Sequence, residues 1–143
     1  MTHRFQLPVY PHDTDYGGIV SHRAIVTWLE MARIDFVRSV GLEFAELWTA
    51  GFDLPVVELQ VRYLKMIPFG VQVSILTRLV QFQAPRLSWT YALYSPDEQL
   101  HYAQARSDHA IVDRGGRPCR RFPAVLTPMG PLIEQDGGAN QTQ

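Results

Sequence analysis

At 143 residues, 46% of them hydrophobic, the chain can build one domain with a real core but is too short for two independent ones. Thirteen basic residues against fourteen acidic ones leave a formal net charge of -1, which excludes the basic excess of a typical nucleic-acid binder. The single cysteine, Cys119, excludes an internal disulfide, no apolar run reaches membrane-spanning length, and M-T-H-R-F-Q-L-P lacks a signal-peptide core, so a cytoplasmic protein is expected.

His3 to Tyr10 sets Phe5, Leu7 and Val9 in alternation with Arg4, Gln6 and Pro8, the period of a short strand with one buried face. Pro8 marks an edge or a strand end. His12 to Val40 then carries the segment on which function is expected to rest: a loop with two aspartates and two glycines, H-D-T-D-Y-G-G-I-V-S, running into a long helix. At about 100° per residue from Ser21, Ala24, Ile25, Trp28, Leu29, Ala32, Phe36 and Val40 share a broad apolar face, with Arg23, Thr27, Glu30 and Arg38 mostly opposite. Ser21 is suited to cap the start and Gly41 to end the helix. Gly17 and Gly18 allow positive φ or close approach to a ligand, and the helix start offers unpaired amides and partial positive charge beside the aspartates.

Leu42 to Thr49 suggests a further helical turn or two, stopped by Gly51. From Leu54 the pattern becomes that of strands. Val57, Leu59, Val61 and Tyr63 alternate with Glu58, Gln60 and Arg62, and Pro68 and Gly70 make a turn. Val71 begins a long strand running to about Gln81, interrupted by Ala84-Pro85; Leu87 to Leu93 alternates cleanly, and Ser95-Pro96-Asp97-Glu98 turns the chain into Leu100 to Asp113. In that strand Tyr102, Ala103, Ala105 and Ala110 do not keep one phase, which a bulge would explain. Asp113 to Gly116 is another turn.

These elements give an α+β domain over residues 1–134, an antiparallel sheet of about five strands with the helix against one face. Residues 135–143, rich in Gly, Asn, Gln and Thr, are expected to be disordered. Such a sheet leaves edges that pairing with a second copy would cover.

D-T-D-Y-G-G-I-V-S-H followed by W-L-E-M-A-R-I-D-F resembles the 4-hydroxybenzoyl-CoA thioesterase-like family of hotdog-fold acyl-CoA thioesterases, and the likeness runs from about Phe5 to Pro123. The resemblance implies a long helix wrapped by an antiparallel sheet, homodimers or homotetramers with sites at the subunit interface, an acyl-CoA or acyl-carrier-protein substrate, and no cofactor. Position by position it implies Asp15 as the catalytic carboxylate, Gly18 as the loop glycine after it, and His22 as the residue whose backbone N–H polarises the thioester carbonyl. Arg86 and Arg120 fall near positions where the family holds CoA phosphates. Tyr16 stands where a small residue or proline is usual, and Ser21 where an aromatic is common, so Ser21 is expected to enlarge the acyl pocket.

Thioester hydrolysis needs an attacking group and donors for the developing oxyanion. Asp15 supplies the first, as nucleophile or as general base for water, and the helix N-terminal amides supply the second. A bland alternative for Asp15 is an Asx-turn. Asp13 is expected to brace the loop and His22 to lean its ring toward the sheet. Glu30 is expected at the surface, paired with Arg33 or Arg23, and Trp28, Trp48 and Trp89 are core candidates. Lacking a His-x-x-x-His pair or cysteine cluster, the loop is not expected to bind a metal. Two rival functions are a hotdog enoyl-CoA hydratase and a non-catalytic acyl-CoA or acyl-carrier-protein binding module.

Overall fold

A computed structural model describes residues 1–133; the tail expected to be disordered, 135–143, lies outside the described residues. The elements are β1 (Thr2–Pro8), α1 (His22–Ser39), α2 (Phe44–Thr49), β2 (Phe52–Asp53), β3 (Val56–Tyr63), β4 (Gln72–Gln83), β5 (Arg86–Tyr94), β6 (His101–Ala110) and β7 (Val112–Asp113). Short 3-10 turns cover Pro11–Asp13 and Ala124–Leu132.

Five strands form one sheet in the order β1-β4-β5-β6-β3, every neighbouring pair antiparallel, and β2 pairs with β7 separately. Local chemistry sets the hairpins. Ala84-Pro85 turns β4 into β5, and Asp97 fixes the next turn by accepting from Ser95 Oγ at 2.6 Å and the Gln99 amide at 3.1 Å. β6 carries the expected bulge: Leu93 opposes Ala103 whereas Tyr94 opposes His101, so Tyr102 is the extra residue. Tyr102 and Ala103 are thereby both buried although adjacent.

One end of α1 is capped as the sequence indicates, Ser21 Oγ accepting from the Ala24 amide at 3.4 Å, and Gly41 beyond its other end has φ +84°. Ile25, Trp28, Leu29, Ala32 and Phe36 join Ile75, Leu79, Leu87, Trp89 and Leu93 in one buried cluster. Phe36 meets Trp89 edge-on at 5.3 Å, and each such large side chain removed from water contributes about 2–3 kcal/mol. On the β1 flank His3 stacks on Phe36 at 5.1 Å and its Nε2 lies 2.6 Å from Asp35. A single long helix laid against a five-stranded antiparallel sheet is the hotdog arrangement.

β3 is a strand as its alternation indicates, and seven of its eight residues are exposed, because it forms an outer edge of the sheet and its apolar side chains find little cover among the described residues. One expectation fails. Trp48 is not core: it is 58% exposed, with the Arg114 guanidinium 5.9 Å above its ring. It falls on the outer side of the short α2, whose buried contact is Leu47.

Candidate active site

The loop ahead of α1 closes as a small hairpin. Thr14 bridges to Val20, and the Asp15 amide donates to Ile19 O at 2.8 Å. Its tip is a turn in which Gly18 N–H donates to Asp15 O at 3.0 Å and Gly17 N–H to Asp15 Oδ1 at 2.9 Å. Gly18 has φ +76°, and a Cβ at this position would meet nothing within 4 Å, so the turn selects glycine for backbone conformation rather than for space. Gly18→Ala is expected to cost about 1–2 kcal/mol through backbone strain alone. Calorimetry should show that loss as a melting temperature lower by about 3–6 °C, and an unchanged value would contradict it.

The hairpin is fastened at its base. Asp13 is buried; its Oδ2 accepts from the Tyr10 amide at 2.8 Å and its carbonyl from the Ser21 amide at 2.9 Å, the bracing role its position suggested. Arg23, on the first turn of α1, reaches back to the carbonyls of His12 at 3.1 Å and Thr14 at 3.4 Å. Val20 N–H donates to Ile67 O at 2.9 Å, tying the hairpin to the segment after β3.

Asp15 is exposed at the tip of this hairpin. One carboxylate oxygen is engaged by Gly17; among the described residues the other has no hydrogen-bond partner. The amides of His22 and Arg23 likewise have no acceptor among the described residues, whereas the Ala24 amide is taken by Ser21. A side-chain anion and two unpaired donors thus occupy one short segment, Asp15 to Arg23. The Gly18 amide is not a third donor, since the turn uses it. A cavity of about 360 Å³ opens against Ile19, Val20 and Ile25.

The expectations for the His22 ring, for Glu30 and for Ser21 are corrected. The His22 ring does not lean onto the sheet but is exposed, because at the first position of α1 the inward direction is already filled by Ala24 and Ile25. Glu30 pairs with neither arginine: Arg23 serves the hairpin, and Arg33 Nη1 donates to Tyr91 Oη at 3.1 Å. Ser21 does not line the cavity; it is buried and spends its hydroxyl on the helix cap. Arg86 and Arg120 come to a common end of the sheet, since Arg86 opposes Ala110 and Cys119 N–H donates to Ile111 O. Within one protomer that end is remote from the hairpin, about 27 Å away along the nine residues of β5.

A buried polar chain lies under α1, marked in the sequence only by Ser107 and His109 in the inward phase of β6. From Arg33 and Tyr91 it continues through Ser107 Oγ, 2.7 Å from Tyr91 Oη, to His109 Nε2 at 2.8 Å, and His109 Nδ1 lies 3.0 Å from Leu54 O. A carbonyl only accepts, so Nδ1 carries the hydrogen and Nε2 accepts from Ser107, whose oxygen in turn accepts from Tyr91. Burial raises the Tyr91 phenol above its usual range despite nearby Arg33, so it stays a donor. Among the described residues no three His, Cys, Asp or Glu side chains are grouped to hold a metal ion.

The thioesterase-like superfamily model matches residues 9–129. The Synechocystis sp. protein sll0410, provisionally assigned as an esterase, is 47% identical over 119 residues, 82% of this chain and 72% of that protein. Bacillus subtilis YneP, provisionally assigned as an acyl-CoA thioesterase, is 26% identical over 71% of this chain and 73% of its own. Among solved structures, the hypothetical protein TT1821 from Thermus thermophilus superposes with TM-score 0.82 at 26% identity, over 90% of this chain and 98% of that one. Slr0204, a 1,4-dihydroxy-2-naphthoyl-CoA thioesterase from Synechocystis, superposes with TM-score 0.81 over 88% and 93%, and at 19% identity it speaks to the fold alone.

Proposed function

This chain belongs to the thioesterase-like superfamily and is a thioester hydrolase, and from that premise we propose that it cleaves an acyl-CoA to a carboxylate and CoA at the tip of the 14–20 hairpin. Asp15 either adds to the thioester carbonyl carbon, expelling the CoA thiolate and leaving an anhydride for water to open, or takes a proton from the water that attacks. In both routes the carbonyl oxygen becomes an anion, to which the unpaired amides of His22 and Arg23 donate at the positive end of α1. Each such donor is typically worth a few kcal/mol in the transition state. The observation that carries this reading is the free carboxylate oxygen of Asp15 on the segment that leads into two unsatisfied helix amides.

Incubating the protein with aromatic, short and long acyl-CoA esters while following free thiol tests the reading. Enzyme-dependent thiol release on at least one ester is expected, and none on any would defeat it. A single turnover in heavy-oxygen water tests the nucleophile route: label in Asp15 shows an anhydride opened at the Asp15 carboxyl carbon, whereas label in the product arises both from a general base and from an anhydride opened at the acyl carbon.

A second copy completes the site in this reading. β3 presents an unpaired edge with Val57 55%, Leu59 38% and Tyr63 52% exposed, a surface that a monomer seldom leaves to water. Antiparallel pairing of two such edges sets the Val56 end of one beside the Tyr63 end of the other. It therefore brings Arg86 and Arg120 of a second copy toward the end that holds Asp15, where the two guanidinium groups would meet CoA phosphates. Leu59→Glu is expected to give a monomer by size-exclusion chromatography and at least a hundredfold loss of turnover. A fully active monomer would overturn the shared site.

A further inference from the structure

The cavity beside the hairpin has a lining that discriminates between classes of acyl group. It shares its walls with the proposed chemistry: Ile19 is the backbone partner of Asp15, and Ile25 stands on the first turns of α1. Its other aliphatic walls are Val20, Leu64, Met66 and Ile67. Among the described residues of one protomer only Tyr63 and Lys65 bring polar side-chain atoms to it, and both are exposed, so the phenol and the ammonium can remain in water while their apolar parts face the cavity. Leu64 and Met66 are 47% and 73% exposed, two large apolar side chains at the edge of a hollow, where an apolar ligand would shield them.

An acyl group carrying ring hydroxyls would lose water on entering such a cavity and find, among the described residues, no buried side-chain acceptor or donor to replace it. A plain alkyl chain loses nothing. At about 30 Å³ per water-sized group, roughly 360 Å³ holds about twelve non-hydrogen atoms. We propose that this cavity receives the acyl chain and that the preferred substrate is an unsubstituted aliphatic acyl thioester of about eight to ten carbons. The assignment rests on the thioesterase reading and adds to it the class of acyl group.

The test is a comparison of kcat/KM for butyryl-, hexanoyl-, octanoyl-, decanoyl- and 4-hydroxybenzoyl-CoA, with an ω-carboxyoctanoyl ester to probe Lys65. Along the aliphatic series kcat/KM is expected to rise roughly fourfold per methylene up to octanoyl and to level off beyond decanoyl. The 4-hydroxybenzoyl and ω-carboxy esters should fall at least tenfold below octanoyl. A hydroxyaryl or ω-carboxy ester at or above octanoyl, or a flat aliphatic series, overturns the proposal while leaving thioester hydrolysis intact. Inactivity on every ester removes the thioesterase reading and the proposal with it. Met66→Trp, at an exposed position that tolerates bulk, should lower the octanoyl-to-butyryl ratio at least tenfold; an unaltered ratio in the folded variant means the chain lies elsewhere.

Discussion

Replacing Asp15 by asparagine is expected to lower kcat by about three orders of magnitude or more while leaving the melting temperature within about 1 °C. The substitution separates the turn bond of this side chain from the catalytic role proposed for it. Asp15 Oδ1 accepts from Gly17 N–H, and an asparagine carbonyl oxygen accepts the same bond in the same turn. What asparagine lacks is the anion: it neither adds to a carbonyl carbon nor takes a proton from water. If Asp15 served only to shape its turn, the variant would hydrolyse acyl-CoA like the parent. Asp15→Ala, which loses both roles, should show the same loss of turnover together with a small loss of stability. Paired kinetic and thermal measurements on the two variants therefore decide whether the charge or the turn matters.

Acidification from pH 6.5 to 4 is expected to remove about 3 kcal/mol of stability through His109 alone. Burial pushes its imidazole down from 6.5 to about 4; the bond to Leu54 O and the carboxylate of Asp108 act against this, and the Arg33 guanidinium adds to it. Between those two values the unfolded chain binds a proton that the folded chain refuses, so stability rises with pH across the window. The contribution is complete above pH 6.5 and is lost as pH falls toward 4. Asp108, held below the ordinary carboxylate range chiefly by the hydroxyl of Ser88, loses its own contribution as pH falls through its depressed value, in a more acid window. His109→Gln should flatten the melting-temperature profile between pH 4 and 6.5, where the parent falls by roughly 10 °C. An equally steep profile in the variant would place the titration elsewhere.

The sequence disclosed the architecture because its signals were local and repeated. Helical spacing from Ala24 to Phe36, the caps at Ser21 and Gly41, and alternation in Leu87 to Leu93 each depend on neighbours a few residues away. The bulge in β6 was also readable, as a broken phase at Tyr102 and Ala103. What escaped depended on distant partners. Arg33 looks like a surface residue one step from Glu30, and only the fold sets it against Tyr91 of β5. Ser107 and His109 share the inward phase of Ala103 and Ala105, and polar residues at buried positions were the available sign of an internal hydrogen-bonded chain. Trp48 misled because size alone suggests burial, whereas its side of α2 faces outward. At the site, the carboxylate, the turn glycine and the helix end were legible as one continuous segment, while the separation of Arg86 and Arg120 from it followed from strand order, which no local pattern contains.

The grip of His109 on the Leu54 carbonyl has a bearing on assembly. Leu54 lies just ahead of β3, and that anchor comes wholly from within the protomer, so the approach to the unpaired strand is fixed before any neighbour arrives. In the pairing proposed above, association of two edges would resemble the joining of finished parts, with little chain left to order and correspondingly little entropy to lose on contact. Loosening the anchor would slow association and accelerate subunit exchange even where no residue at the seam itself is altered.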